Sequence, residues 1–140
     1  MVTITDRVRF SETDLMGVVH HTNYLRWFEM GRVAYLRAAG IELNQLMADG
    51  FMVPIIEVHC QFRQSARFDD EYEVRTTLAS CSRVKIVYEY KIIRKRDGVL
   101  LAKGDSTNAF TNLEGKVERL SPPYYEKLQR MLAEEGKKKV

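Results

Sequence analysis

The chain has 140 residues, 45% of them hydrophobic and 29% charged, enough for one substantial core without disulfides or metals. A net charge of +3, from 22 Lys and Arg against 19 Asp and Glu, is too balanced for a nucleic-acid binder but tolerates an anionic ligand. Only Cys60 and Cys81 are present and form no CxxC pair. With no signal-peptide pattern and no apolar run of about 18 residues, the expectation is a cytoplasmic protein without disulfides, zinc site or membrane insertion.

Val2 to Phe10 alternates well enough for a first strand, with Ile4, Val8 and Phe10 apolar. The segment Asp14-Leu15-Met16-Gly17 follows, placing a carboxylate ahead of a glycine turn and a helix start. A helix beginning there aims unpaired N–H groups and the positive end of its dipole at whatever lies in front of it. That suits a developing oxyanion, with Asp14 beside it as general base or nucleophile. The same residues also serve plain structure, because Asp caps helices and Asp before Gly makes turns.

From Asn23 to Ala39, Tyr24, Trp27, Phe28, Tyr35 and Ala38 recur at helical spacing, with Gly31 and Ala34 as small positions where a sheet could approach. Gly40 ends this helix, and a short one is expected over Leu43 to Ala48. From Val53 the period becomes two. Ile56, Val58, Cys60 and Phe62 are expected on one strand face, with Glu57, His59, Gln61 and Arg63 on the other. Tyr72 to Leu78 and Ile86 to Ile92 repeat the alternation. Asp97-Gly98 predicts a hairpin turn into a strand from Val99 to about Thr111, with a further short strand around Val117. Pro122-Pro123 opens a helix through Glu135. The predicted organisation is one domain over 1–136 and a basic tail over 137–140.

A largely apolar helix followed by antiparallel strands is an α+β arrangement of five to six strands around a central helix, with a C-terminal helix. His20 and His21 are adjacent, so they lack the i, i+4 spacing of a zinc-binding helix, and no metal is expected. GxSxG, GxGxxG and phosphate-loop patterns are absent, which removes the serine-hydrolase, nicotinamide and nucleotide-hydrolysis readings built on them. Arg63, Arg67, Arg83 and Lys85, at predicted strand ends, could meet phosphates or simply protect solvated edges. Glu29 and Arg32, three apart on the helix, could pair.

The stretch Thr13-Asp14-x-x-Gly17-Val18-Val19-x-His21-x-Asn23-Tyr24-Leu25-Arg26-Trp27-Phe28-Glu29 resembles the signature of the 4-hydroxybenzoyl-CoA thioesterase family, and within it the bacterial acyl-CoA thioesterases associated with the Tol-Pal system. Phe62-Arg63-Gln64-Ser65-Ala66-Arg67-Phe68-Asp69-Asp70-Glu71 is similar to the family's later segment. His20 and Met16 depart from the pattern, at positions that bear on acyl preference rather than on the reaction. The resemblance implies a hot dog fold, with the sheet wrapped around the helix. It also implies a homodimer with a continuous sheet, able to pair into a homotetramer, and sites at the subunit interface. The implied activity is hydrolysis of an acyl-CoA to free acid and coenzyme A, with coenzyme A entering as part of the substrate and no separate cofactor. Asp14 and His21 are the catalytic candidates, His21 through its backbone N–H. Gly17, Val18, Val19, Asn23 and Tyr24 are expected around the oxyanion and acyl group, and Arg63, Ser65, Arg67 and Arg83 around coenzyme A. An acyl carrier protein thioesterase, a dehydratase or a non-catalytic acyl-thioester-binding protein of the same fold are the alternatives.

Overall fold

The computed structural model describes residues 1–138, with side chains described through Lys137. In chain order the elements are β1 (Val2–Arg7), α1 (Thr22–Ala38), α2 (Leu43–Ala48), β2 (Ile55–Phe62), β3 (Glu71–Cys81), β4 (Lys85–Arg94), β5 (Leu100–Ala109) and α3 (Pro122–Lys138). The strands form one antiparallel five-stranded sheet in the order β1-β3-β4-β5-β2. Of the expected basic tail, Lys137 and Lys138 continue α3, and 139–140 lie outside the described residues.

Tyr24, Trp27, Phe28, Gly31 and Tyr35 make a single buried stripe along α1. The stripe faces the inner surface of the sheet, where Tyr72, Val74, Thr76 and Leu78 of β3 and Ile86, Tyr88, Tyr90 and Ile92 of β4 alternate inward. Trp27 stacks on Tyr72 at 4.0 Å and Phe28 on Tyr90 at 4.3 Å, between ring centroids. Gly31 allows the closest approach of helix to sheet, since a Cβ there would stand 2.3 Å from Thr76 Oγ1. Large side chains buried in this way contribute about 1.5 to 3 kcal/mol each, against about 0 to 1 kcal/mol for an exposed ion pair, so this layer holds the fold.

Two expectations are corrected. β1 stops at Arg7, and the chain turns through a 3-10 segment at Phe10–Glu12. Around Val117 there is only an isolated bridge to Thr111, because Asn112 to Lys116 closes a tight turn that leaves too little chain for a strand. On β2, Val58, Cys60 and Phe62 share one face, opposite Ser106, Gly104 and Ala102 on the inner side of the sheet, but much of that face is uncovered: Ile56 is 50% exposed, Val58 38% and Phe62 51%. A register irregularity between Ile55 and Glu57 breaks its pattern, and α1 packs over β1, β3 and β4 rather than over this edge strand.

Candidate active site

The loop between β1 and α1 is built by its own backbone. Asp14 N–H donates to the Val18 carbonyl at 2.9 Å, and Gly17 N–H donates to the Asp14 carbonyl at 3.0 Å. Gly17 closes this turn at φ +78°, a conformation that glycine adopts without steric cost. One carboxylate oxygen of Asp14 accepts the Met16 N–H at 2.9 Å, and its other oxygen has no partner among the described residues. The loop tip projects outward, with Leu15 and Met16 exposed.

Where the loop enters α1, most N–H donors are taken. Thr22 N–H donates to His20 Nδ1 at 3.3 Å, Asn23 N–H to the His20 carbonyl at 3.0 Å and Tyr24 N–H to the His21 carbonyl at 3.3 Å. The His21 N–H has no acceptor among the described residues. A donor left open at a helix start is the geometry that an oxyanion requires.

The two sequence segments meet here. Val19 N–H donates to the Ala66 carbonyl at 2.8 Å, and the Tyr24 hydroxyl accepts the Ala66 N–H at 3.1 Å. The Phe62 ring lies 5.5 Å from Tyr24 and 5.9 Å from His21 between centroids. Val19, His21, Tyr24, Phe62, Arg63 and Ser65 line a cavity of about 190 Å³. Its walls are mixed, with an aromatic and aliphatic side and a polar rim. Burial pushes the Tyr24 phenol above its ordinary pKa, so it stays protonated. Burial likewise pushes the Cys60 thiol up to about 11, which leaves it a poor nucleophile at neutral pH.

The remaining expected residues fall in different places. Val18 is half-buried within the loop, and buried Asn23 turns its amide to the Glu12 and His20 carbonyls at 3.0 and 3.2 Å. Arg67 is exposed beside Gly17, its guanidinium 3.9 Å from where a Cβ on that glycine would stand. Arg83 is at the far end of the sheet, in the β3–β4 turn, where its Nε donates to the Leu120 carbonyl at 3.0 Å. Within one chain it does not join the others. Arg32 donates to the Tyr90 hydroxyl at 3.3 Å instead of pairing with Glu29. Among the described residues no three His, Cys, Asp or Glu side chains group to hold a metal ion. Sequence reasoning did not assign Phe62 as a wall of the cavity; its signal was the aromatic that opens the second segment at the end of an apolar strand face.

Residues 8–132 match the model of the thioesterase-like superfamily. The chain belongs to this family. Among thioesterase-like proteins, the acyl-CoA thioesterase YbgC of Haemophilus influenzae is 28% identical over 120 residues, 84% of this chain and 85% of its own length. The DHNA-CoA thioesterase of Staphylococcus aureus superimposes with a TM-score of 0.92 at 26% identity, covering 99% of this chain and 95% of that one. The hypothetical protein TT1821 of Thermus thermophilus gives a TM-score of 0.86 at 35% identity, covering 92% and 98%. The hot dog architecture expected from the two segments is thus the fold of this thioesterase-like chain.

Proposed function

We propose that this protein is an acyl-CoA thioesterase acting at the β1–α1 loop. The observation that carries the reading is the unpaired His21 N–H, which opens beside a cavity walled by Tyr24 and Phe62 and is joined to Asp14 by one short loop. The thioester carbonyl oxygen would accept the His21 N–H, and the positive end of the α1 dipole would favour its developing charge. In one route Asp14 takes a proton from water, the water oxygen bonds to the acyl carbon and the C–S bond breaks. In the other, the Asp14 carboxylate bonds to the acyl carbon first, the thiolate leaves, and water then opens the anhydride. Either way a thiolate of ordinary pKa near 8.5 leaves without a dedicated acid, so no triad is required.

The names carried by the relatives support the substrate class: an acyl-CoA thioesterase and a DHNA-CoA thioesterase share this fold at 28% and 26% identity. Arg63 lines the cavity and Arg67 lies beside Gly17, and either guanidinium would suit the phosphates of coenzyme A. We also infer a homodimer through β2, whose exposed apolar side chains and open edge suit a second copy of the same strand. The test is thiol release from short-chain, long-chain and aromatic acyl-CoAs. Turnover of at least one supports the reading, and none across the panel would overturn it. Label found in the Asp14 carboxylate after a single turnover in ¹⁸O-water would establish the anhydride route, because only opening of the anhydride at the Asp14 carbon places it there.

A further inference from the structure

Glu12 lies outside both the proposed chemistry and the walls of the cavity, yet the reactive loop is tied to it at several points. Its Oε1 accepts the Arg9 N–H at 2.7 Å, and its Oε2 accepts the Trp27 indole N–H at 2.8 Å, one helical turn inside α1. Its backbone carbonyl accepts the His20 N–H at 2.9 Å and the Asn23 side-chain amide at 3.0 Å. Glu12 thus precedes Asp14 by two residues while gripping the helix that begins after His21. The anchor itself is rigid: Trp27 is fully buried and stacked on Tyr72 at 4.0 Å.

Resting on the thioesterase reading above, we propose that Glu12 is the positioning residue that fixes Asp14 relative to the His21 N–H. Loop and helix start must keep one spacing, and a carboxylate that bridges the 3-10 turn to α1 sets it. Both groups facing the Glu12 carboxylate are N–H donors. A carboxylate accepts both, whereas a carboxamide must turn one of its own N–H groups toward a donor. Glu12→Gln is therefore disruptive at this site despite its similar shape. It is informative for the same reason, because the volume hardly changes.

The experiment compares wild type, Glu12→Gln, Trp27→Phe and the double variant Glu12→Gln with Trp27→Phe, each checked for folding by circular dichroism and urea melting. In folded Glu12→Gln, kcat should fall about 10- to 100-fold, the scale on which displacements of about 1 Å act, while KM stays within about two-fold. The pH dependence of kcat should persist, because Glu12 exchanges no proton with substrate. Trp27 is the only tryptophan in the sequence, so its emission reports the lost bond directly. Removing the indole N–H frees one side of the carboxamide, so the double variant should lose less than the product of the two single losses.

Unchanged kcat, multiplying losses, or a loss matched by the unfolded fraction would overturn the proposal. Loss of the pH dependence would also overturn it, making Glu12 a proton-transfer group instead. If wild type releases no thiol from any acyl-CoA, the thioesterase reading has failed separately. Trp27 emission and exchange of the His20 amide in Glu12→Gln then still decide whether Glu12 holds the loop, and wild-type values for both would sink it.

Discussion

At the scale of single residues, His21 separates the work of a side chain from that of the backbone. If the oxyanion is held by the main-chain N–H, His21→Ala keeps that donor and should cost far less turnover than Asp14→Asn; an equal loss, measured on one good acyl-CoA, would assign the imidazole a proton-transfer role. Cys60 should be dispensable. With its thiol pushed up to about 11 by burial, it should label slowly with a disulfide reagent at neutral pH, and Cys60→Ser should keep near-normal turnover. On the outer sheet face His59 Nδ1 and Asp105 Oδ1 stand 2.9 Å apart, and the carboxylate raises the His59 pKa above its ordinary value. A raised folded pKa means that the pair supports folding fully below the unfolded value near 6.5 and loses that support as pH rises through the folded one. In an NMR titration Asp105→Asn should bring the His59 midpoint down; an unmoved midpoint would deny the pairing. That Asp14, Gly17 and His21 share one loop ahead of α1 was legible in the sequence, because a loop motif is local. Glu12 was not, because its meaning depends on Trp27, fifteen residues away, arriving beside it only when α1 docks.

Among the elements, α1 and its seat on β3 were readable because helical spacing and strict alternation are properties of contiguous residues. Gly31 shows how close that seat is. Alanine is the better helix former by about 1 kcal/mol, yet its Cβ would meet Thr76 Oγ1 at 2.3 Å and Val74 at 3.0 Å. Overpacking of this kind costs about 1 to 3 kcal/mol and should win, so Gly31→Ala is expected to lower the urea midpoint; a raised midpoint would show that the sheet yields. β2 was the element read least well. Its alternation was readable from contiguous residues, but how far an edge strand is covered depends on what packs over it, which alternation does not encode. The register irregularity at Ile55 to Glu57 carries no signature in residue type. The early end of β1 likewise depends on a distant partner: Val8 N–H still donates in register to the Asp70 carbonyl at 2.9 Å, but the opposite chain turns at Asp69, φ +68°, and offers no further strand to pair with.

At the scale of the whole molecule, the fold was legible and the assembly remains a proposal. The sheet ends on one side in a strand whose Ile55, Ile56, Val58 and Phe62 are all exposed, beside the cavity that holds His21 and Tyr24. Pairing of two β2 edges would cover those side chains and set a partner against the mouth of the site. Val58→Lys should therefore shift sedimentation from dimer to monomer and reduce activity with it, whereas a stable, fully active wild-type monomer at micromolar concentration would contradict the dimer. The account stands most directly on the reaction at Asp14, and one comparison tests it: thiol release from the best acyl-CoA substrate by purified wild type and Asp14→Asn, both shown to be folded. The expected result is a loss of about 10² to 10⁴ in turnover, with more if Asp14 is the nucleophile, because asparagine keeps the Met16 N–H bond but can neither take the proton nor form the anhydride. Near-normal turnover by the folded variant would contradict the account.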